Sequence, residues 1–206
     1  MQMVVVNTSN KNFNELMSVY EQAKKQLEEV LLLIKYATKQ YYGYDVISNI
    51  TSRIKTPQSI VNKMKKKNYE LTYENLINNI NDIAGIRVIC QMKGDIELIR
   101  NIICKIPNVE VLKEKDYLKH AKKSGYSAYH MIIEVPLEYK GETIYVKVEV
   151  QIRTMAMDFW AANEHKIKYK TKNKISIFDS KKLEFYAKIL NKIDEKISNI
   201  YKKQKV

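Results

Sequence analysis

At 206 residues and 45% hydrophobic content, the chain can bury one proper core but is too short for two full-sized catalytic domains. Its 36 Lys and Arg against 23 Asp and Glu leave a formal charge of +13, which favours phosphate-rich partners without separating nucleotides from nucleic acids. The longest apolar run, Val30 to Ile34, is too short to cross a bilayer, and Met1-Gln2-Met3 lacks the features of a secretory signal, so a soluble cytoplasmic protein with no membrane partner is expected.

In chain order, the apolar positions Phe13, Leu16, Tyr20, Ala23, Leu27, Val30 and Ile34 alternate spacings of three and four, which predicts a long N-terminal helix with one continuous seam. Thr56-Pro57 predicts the start of a second helix through about Lys67, since Thr caps a helix and Pro is tolerated in its first turn. Between Ile83 and Val150 the pattern turns to short β-branched runs, predicting strands near 83–92, 109–116, 127–136 and 142–152 with a helix near Asp95 to Lys105. Helical spacing returns at Met157, Trp160, Ala161 and Glu164, and a last helix carries a seam at Leu183, Tyr186, Leu190, Ile193, Ile197 and Ile200. Each seam can pack on the sheet or on the other, and two seams on so small a domain also suit a homo-oligomer, a tetramer included. Cys90 and Cys104 sit among Ile, Val and Met and read as buried thiols. The basic runs at Lys63 to Lys67, Lys119 to Lys123 and Lys166 to Lys174 each read alone as solvated faces. The five glycines build neither a dinucleotide fingerprint nor a phosphate loop, so phosphates must be held by side chains and metal.

Three segments carry candidate chemistry. From Ile144 to Arg153 every even position is apolar, so Lys147, Glu149, Gln151 and Arg153 form a row about 7 Å apart, twice the strand rise. A carboxylate flanked by cations stays ionised, although periodicity alone also fits a solvated sheet face. Tyr126 and His130 share parity on the strand that follows Lys122-Lys123-Ser124-Gly125. A basic turn opening onto an aromatic ring can hold a nucleotide, while composition alone also fits a core Tyr and a satisfied His. Asp82, at the entrance to the strand of Ile86 and Val88, can share a magnesium ion with Glu149, or can be a turn residue. Asp82 and Arg87 have opposite parity and reach one site only if the chain bends near Gly85.

In order, Ser52-Arg53-Ile54-Lys55, Asp82 to Arg87, Lys122 to His130 and Val148 to Thr154, continued by Met157-Asp158-Phe159-Trp160 and Glu164-His165, resemble the synthetase domain of the RelA/SpoT family. The resemblance runs from about Tyr44 to Lys170, and the chain's size is similar to that of the family's small alarmone synthetases. It implies an α+β fold, a nucleotidyltransferase-like mixed β-sheet flanked by helices, with long N- and C-terminal helices. The domain reading is one synthetase domain over residues 1–206, with a catalytic core at about 44–170 and helical extensions at 11–40 and 179–204. The implied reaction moves the β,γ-pyrophosphate of ATP to the 3′-hydroxyl of GMP, GDP or GTP in the stringent response.

By the same resemblance, Arg53 and Arg87 sandwich the adenine, Lys55 meets the ATP phosphates, and Asp82 and Glu149 hold Mg2+. Glu149 also takes the proton of the hydroxyl. Tyr126 stacks on guanine, Lys122 and His130 meet acceptor phosphates, and Gln151 and Arg153 support that face. Ser127 stands where many relatives carry Arg, which removes a cation and leaves the acceptor open. The three histidines form no His-Asp dipeptide, so synthesis without a hydrolase domain is expected. Two other classes compete: an RNA- or nucleic-acid-binding module, supported by charge and interleaved tyrosines, and a nucleotide-binding scaffold without catalysis. Neither gives Asp82 and Glu149 a task, since carboxylates on a phosphate-binding face repel it unless a metal intervenes. RNA stays open as a regulator.

Overall fold

The computed structural model describes residues 10–167 and 175–204. The first element among the described residues is α1 (Asn10–Tyr42), which no Gly or Pro interrupts until Gly43, whose φ of 73° ends it. The seam of α1 is buried at Tyr20, Ala23 and Leu27, and extends to Leu31. The strands are β1 (Ile47–Ile54), β2 (Ala84–Cys90), β3 (Glu110–Asp116), β4 (Tyr129–Tyr139) and β5 (Glu142–Thr154). They form one sheet in the order β1-β2-β5-β4-β3, mixed because β2 and β5 run parallel while the other neighbours are antiparallel.

Two short helices, α2 (Pro57–Lys66) and α3 (Tyr73–Asn79), separate β1 from β2, capped by Thr56 and Thr72. Then α4 (Asp95–Ile103) connects β2 to β3, α5 (Met155–His165) leaves β5 directly, and α6 (Ile177–Gln204) follows.

The expected alternation of β5 is found: Val146, Val148, Val150 and Ile152 are buried. They share the core with Met131, Ile133 and Val135 of β4, Ile96, Ile99 and Ile103 of α4, and the seam of α1. Burying each such large side chain contributes about 1.5–3 kcal/mol.

Two elements differ from the sequence expectation. The sheet has a fifth strand, β1, and α3 is an added helix. The pattern of β1 hides its period because a bulge between Ile47 and Asn49 shifts the pairing with β2. One extra residue puts odd-numbered Ile47 and even-numbered Ile50 on the same side. The strand expected near 83–92 is the shorter 84–90, and that near 127–136 begins at Tyr129, so Tyr126 precedes it.

The helix α6 buries small and polar side chains, Ala187, Asp194 and Ser198, while Tyr186, Ile193, Ile197 and Ile200 of its seam stay exposed. Its anchors are polar: Thr154 Oγ1 donates to Asp194 Oδ2 at 2.7 Å, and the Lys93 N–H donates to Ser198 Oγ at 2.9 Å. Burial raises the Asp194 carboxyl above the ordinary carboxylate range. No helix among the described residues is long and apolar enough to cross a membrane.

Candidate active site

Opposite the core, the strand register lays out two adjacent rows. Residues that pair directly share a face, so one row reads Thr51, Arg87, Gln151, His130 and Lys115, and the next Arg53, Gly85, Glu149, Ile132 and Lys113. Gly85, without a side chain, lies between Arg53 and Glu149, and this leaves a cleft of about 250 Å³ lined by Arg53, Asp82, Arg87, Glu149 and Gln151. The rim comes from helices: α2 supplies Lys63, α3 accepts Lys147 at the Ile77 carbonyl, and α5 supplies Asp158.

Asp82 and Arg87 do meet in this cleft, but the bend lies at Ile83 rather than Gly85. Asp82 precedes the strand, so parity does not govern it. Lys55 Nζ donates to Asp82 Oδ2 at 2.8 Å, and Lys63 Nζ stands 2.8 Å from Oδ1 as an ion pair out of hydrogen-bond alignment. Burial pushes this carboxyl up, but the two ammonium groups outweigh it and hold Asp82 below the ordinary range.

Glu149 is held in a closed ring. Gln151 Nε2 donates to Glu149 Oε2 at 2.7 Å, and His130 Nδ1 lies 3.0 Å from Oε1. His130 Nε2 lies 2.7 Å from the Tyr126 hydroxyl, which accepts from Arg153 Nη2 at 2.9 Å, and Arg153 also donates to Gln151 Oε1. A carboxylate only accepts, so the network assigns the proton to Nδ1, and Tyr126 donates to Nε2. Donors and acceptors then match around the ring, with Arg153 donating to Tyr126 and Gln151, and Glu149 accepting from His130 and Gln151. Burial raises the Glu149 carboxyl, but the contacts with His130 and the bond from Gln151 outweigh it, and the net position is below the ordinary range.

Around the ring the Tyr126 face is cationic, with Lys122 Nζ 4.8 Å and Arg153 Cζ 5.3 Å from its centroid. Tyr117 packs edge-on against Tyr126 and His130, at 6.0 and 5.3 Å. Ser127 turns away from the cleft: it is buried, and its hydroxyl donates to the Tyr117 carbonyl at 3.1 Å.

Lys63, Tyr117 and Asp158 join residues that the sequence reading placed here. Lys63 belongs to a run read as a solvated face, yet it lies three positions after buried Ile60, on the inner side of α2. The basic run from Lys166 falls mostly on residues 168–174, outside the described residues.

Among the described residues no three His, Cys, Asp or Glu side chains gather. The donor set is two carboxylates on one cleft, with Asp82 Oδ1 facing the Lys63 ammonium. That suits a hard cation whose remaining ligands are phosphates and water, the usual mode of magnesium.

The model of the family described as "Region found in RelA / SpoT proteins" matches residues 52–174. The chain belongs to the RelA/SpoT family. Within it, the GTP pyrophosphokinase YwaC of Bacillus subtilis (strain 168) is 39% identical over 189 residues, 92% of this chain and 90% of the relative. Small alarmone synthetase 1 from Bacillus subtilis, solved bound to its product pppGpp, superposes with a TM-score of 0.86 at 30% identity over 94% of this chain and 98% of that one. Small alarmone synthetase 2 from the same organism gives 0.83 at 36% identity over 93% and 99%. The RelA/SpoT match starts at Ser52, on β1, and takes in the end of that strand and the other four strands whole.

Proposed function

We infer that this chain is a GTP pyrophosphokinase, an alarmone synthetase that transfers the β,γ-pyrophosphate of ATP to the 3′-hydroxyl of a guanine nucleotide. One observation carries the reading: a partly buried, ionised Glu149 lies midway across an open sheet face, with paired guanidiniums on one side and a cation-flanked tyrosine on the other.

On the donor side, Arg53 on β1 and Arg87 on β2 are diagonal neighbours, about 7–8 Å apart. That span is twice an ordinary ring contact, so adenine fits between two guanidinium planes. Lys55 and Lys63 turn to the ATP phosphates. On the acceptor side Tyr126 stacks on guanine, with Lys122 toward the acceptor phosphates; His130, whose two ring nitrogens are taken by Glu149 and Tyr126, supports these groups instead of meeting the phosphates as the resemblance implies. Lys113 and Lys115 extend the cationic surface along the same rows.

The 3′-oxygen attacks the β-phosphorus, the bond from that phosphorus to the α,β-bridging oxygen breaks, and AMP leaves with the bridging oxygen. Glu149 receives the hydroxyl proton, and Gln151 and His130 hold its carboxylate in place. In-line placement and charge neutralisation do most of the work in such transfers. Asp82 and Glu149 would hold Mg2+, which draws charge from the phosphates when bound.

The exposed stripe of α6 supports a homo-oligomer, tetramer included. Residues 1–206 then form one synthetase domain working on ATP and GMP, GDP or GTP in the cytoplasm, where these substrates are made.

The test is a magnesium-dependent assay with γ-labelled ATP and each acceptor in turn, beside Glu149→Gln. Label should pass to a guanine nucleotide, with the variant slower by about 10²–10⁴-fold. Equal turnover in the variant would remove Glu149 as the base; absence of transfer with every acceptor, in a protein that binds ATP, would favour a binding scaffold.

A further inference from the structure

Arg87 of β2 and Arg153 of β5 converge on one atom. Asp158 Oδ1 lies 3.1 Å from Arg87 Nη1 and 3.2 Å from Arg153 Nη1. Asp158 stands in the first turn of α5, where the free N–H groups of the helix favour negative charge. The start of α5 is itself fixed by Thr154, whose hydroxyl accepts from the Met157 N–H at 3.3 Å and donates to buried Asp194 of α6. The carboxylate is therefore anchored from behind before any substrate arrives.

In front of it are two like charges. Burial pushes the Arg153 guanidinium below its ordinary range, and the nearby charge of Arg87 lowers it further. The Nε of each arginine is buried without a hydrogen-bond partner, so Asp158 orients two guanidiniums that each keep a donor free. Arg87 lines the cleft of the donor half, whereas Arg153 grips Tyr126 and Gln151 in the acceptor half.

We propose that Asp158 is a positioning residue shared by the two substrate subsites, one carboxylate oxygen aiming Arg87 at the donor base and Arg153 at the acceptor-stacking tyrosine. The inference rests on the assignment of the donor and acceptor subsites above. Asp158 touches neither reacting atom. Without its charge the two guanidiniums repel each other across the gap, Arg87 loses its direction, and Tyr126 loses its anchor.

Steady-state kinetics of Asp158→Asn, Arg87→Ala and the double variant test this, with thermal melting as a control for folding. Asp158→Asn should raise KM for ATP about ten-fold and KM for the guanine nucleotide several-fold, while kcat changes less, the scale of one partly exposed charge-assisted bond. In the Arg87→Ala background the same substitution should leave KM for ATP within about two-fold and still raise the acceptor KM. A merely structural role would instead lower the melting temperature without this split. If Asp158→Asn does not fold, Asp158→Glu serves in its place: the charge remains but its oxygen moves by one methylene, and a smaller split of the same form is expected.

The proposal is overturned if a folded Asp158 variant keeps both KM values, or if the effects of Asp158 and Arg87 on KM for ATP multiply. Unchanged KM for ATP in Arg87→Ala alone would fault the donor assignment, and the proposal with it. A raised value there with no Asp158 effect would fault the proposal only.

Discussion

Gly125 offers a sharp probe of how the acceptor side is built. It lies at φ +82° in the turn between Lys122 and Tyr126, and a methyl group placed on it would stand 2.1 Å from Ala187 Cβ of α6. Carbon atoms in contact settle about 3.5–4.0 Å apart, so Gly125→Ala forces the turn and the helix apart by about 1.5 Å or more. The left-handed backbone costs an L-residue a further ~1–2 kcal/mol. The turn is tight, with the Gly125 N–H donating to the Lys122 carbonyl at 2.7 Å and the Lys122 N–H to the Tyr126 carbonyl at 3.0 Å. A shift therefore carries both acceptor groups with it. Urea unfolding should show a loss of about 2–4 kcal/mol, strain and overpacking together. The acceptor KM should rise at least about ten-fold, since a 1 Å misplacement in a site can cost far more. KM for ATP should stay within about two-fold, because the donor residues lie across the sheet. Adding Ala187→Gly removes the clash but not the backbone cost, and brings its own helix penalty of ~1 kcal/mol. The acceptor KM should then recover while stability does not. An unaltered acceptor KM in Gly125→Ala would refute the idea that α6 braces this turn.

Other perturbations separate the remaining parts. Tyr126→Phe keeps the ring but loses the hydroxyl that meets Arg153 at 2.9 Å and His130 at 2.7 Å; with its anchor gone the acceptor KM should rise about 5–30-fold in steady-state kinetics, the scale of one or two hydrogen bonds, while KM for ATP stays within about two-fold. Thr154→Ala removes the α5 cap and leaves buried Asp194 without its donor, so denaturant titration should show a loss of about 2–4 kcal/mol. A Cβ added at Gly85 meets nothing closer than 3.9 Å, and the methyl groups of Gly85→Val would extend into the cleft; isothermal titration should find weaker ATP binding in a protein that melts no lower than wild type. Arg100 donates two bonds to Glu114, both 2.7 Å, and holds that carboxyl below the ordinary range. This contribution is present above the unfolded pKa of about 4.3 and is lost as pH falls through the depressed folded value. With side chains 33% and 27% exposed, Glu114→Gln should cost about 1 kcal/mol at neutral pH and progressively less as pH falls below about 4.

How much of this was legible in the sequence differs from element to element. The ten residues from Ile144 to Arg153 announce strand, buried face and open face together, because β5 pairs with β2 and β4 without a bulge and period two survives throughout. In β1 a single bulge breaks that period, and Ile47, Ile50 and Ile54 fall at spacings that imitate a helix. The two long seams have the same period, yet that of α1 is buried and that of α6 largely exposed. Periodicity reports that a stripe exists, whereas what covers it is a tertiary fact.

The same division runs through the site. Residues read as touching nucleotides, such as Arg53, Asp82 and Glu149, sit in compact local blocks whose resemblance to the family, taken in order, singles them out where periodicity alone left a solvated face or a turn residue open. Those that hold them, Asp158, Tyr117 and Lys63, reach their partners across 71, 9 and 19 positions of chain, the partners being Arg87, Tyr126 and Asp82. Contacts across such separations are made by the fold, so no local pattern encodes them. Asp158 is the extreme case: it lies in a block that matches the family, yet its task depends on β2 and β5 lying side by side and in parallel, with α5 starting where β5 ends. Only that register brings one guanidinium from each strand to the same oxygen, which is why a substitution at a position to which the sequence reading gave no task is expected to disturb both substrates at once.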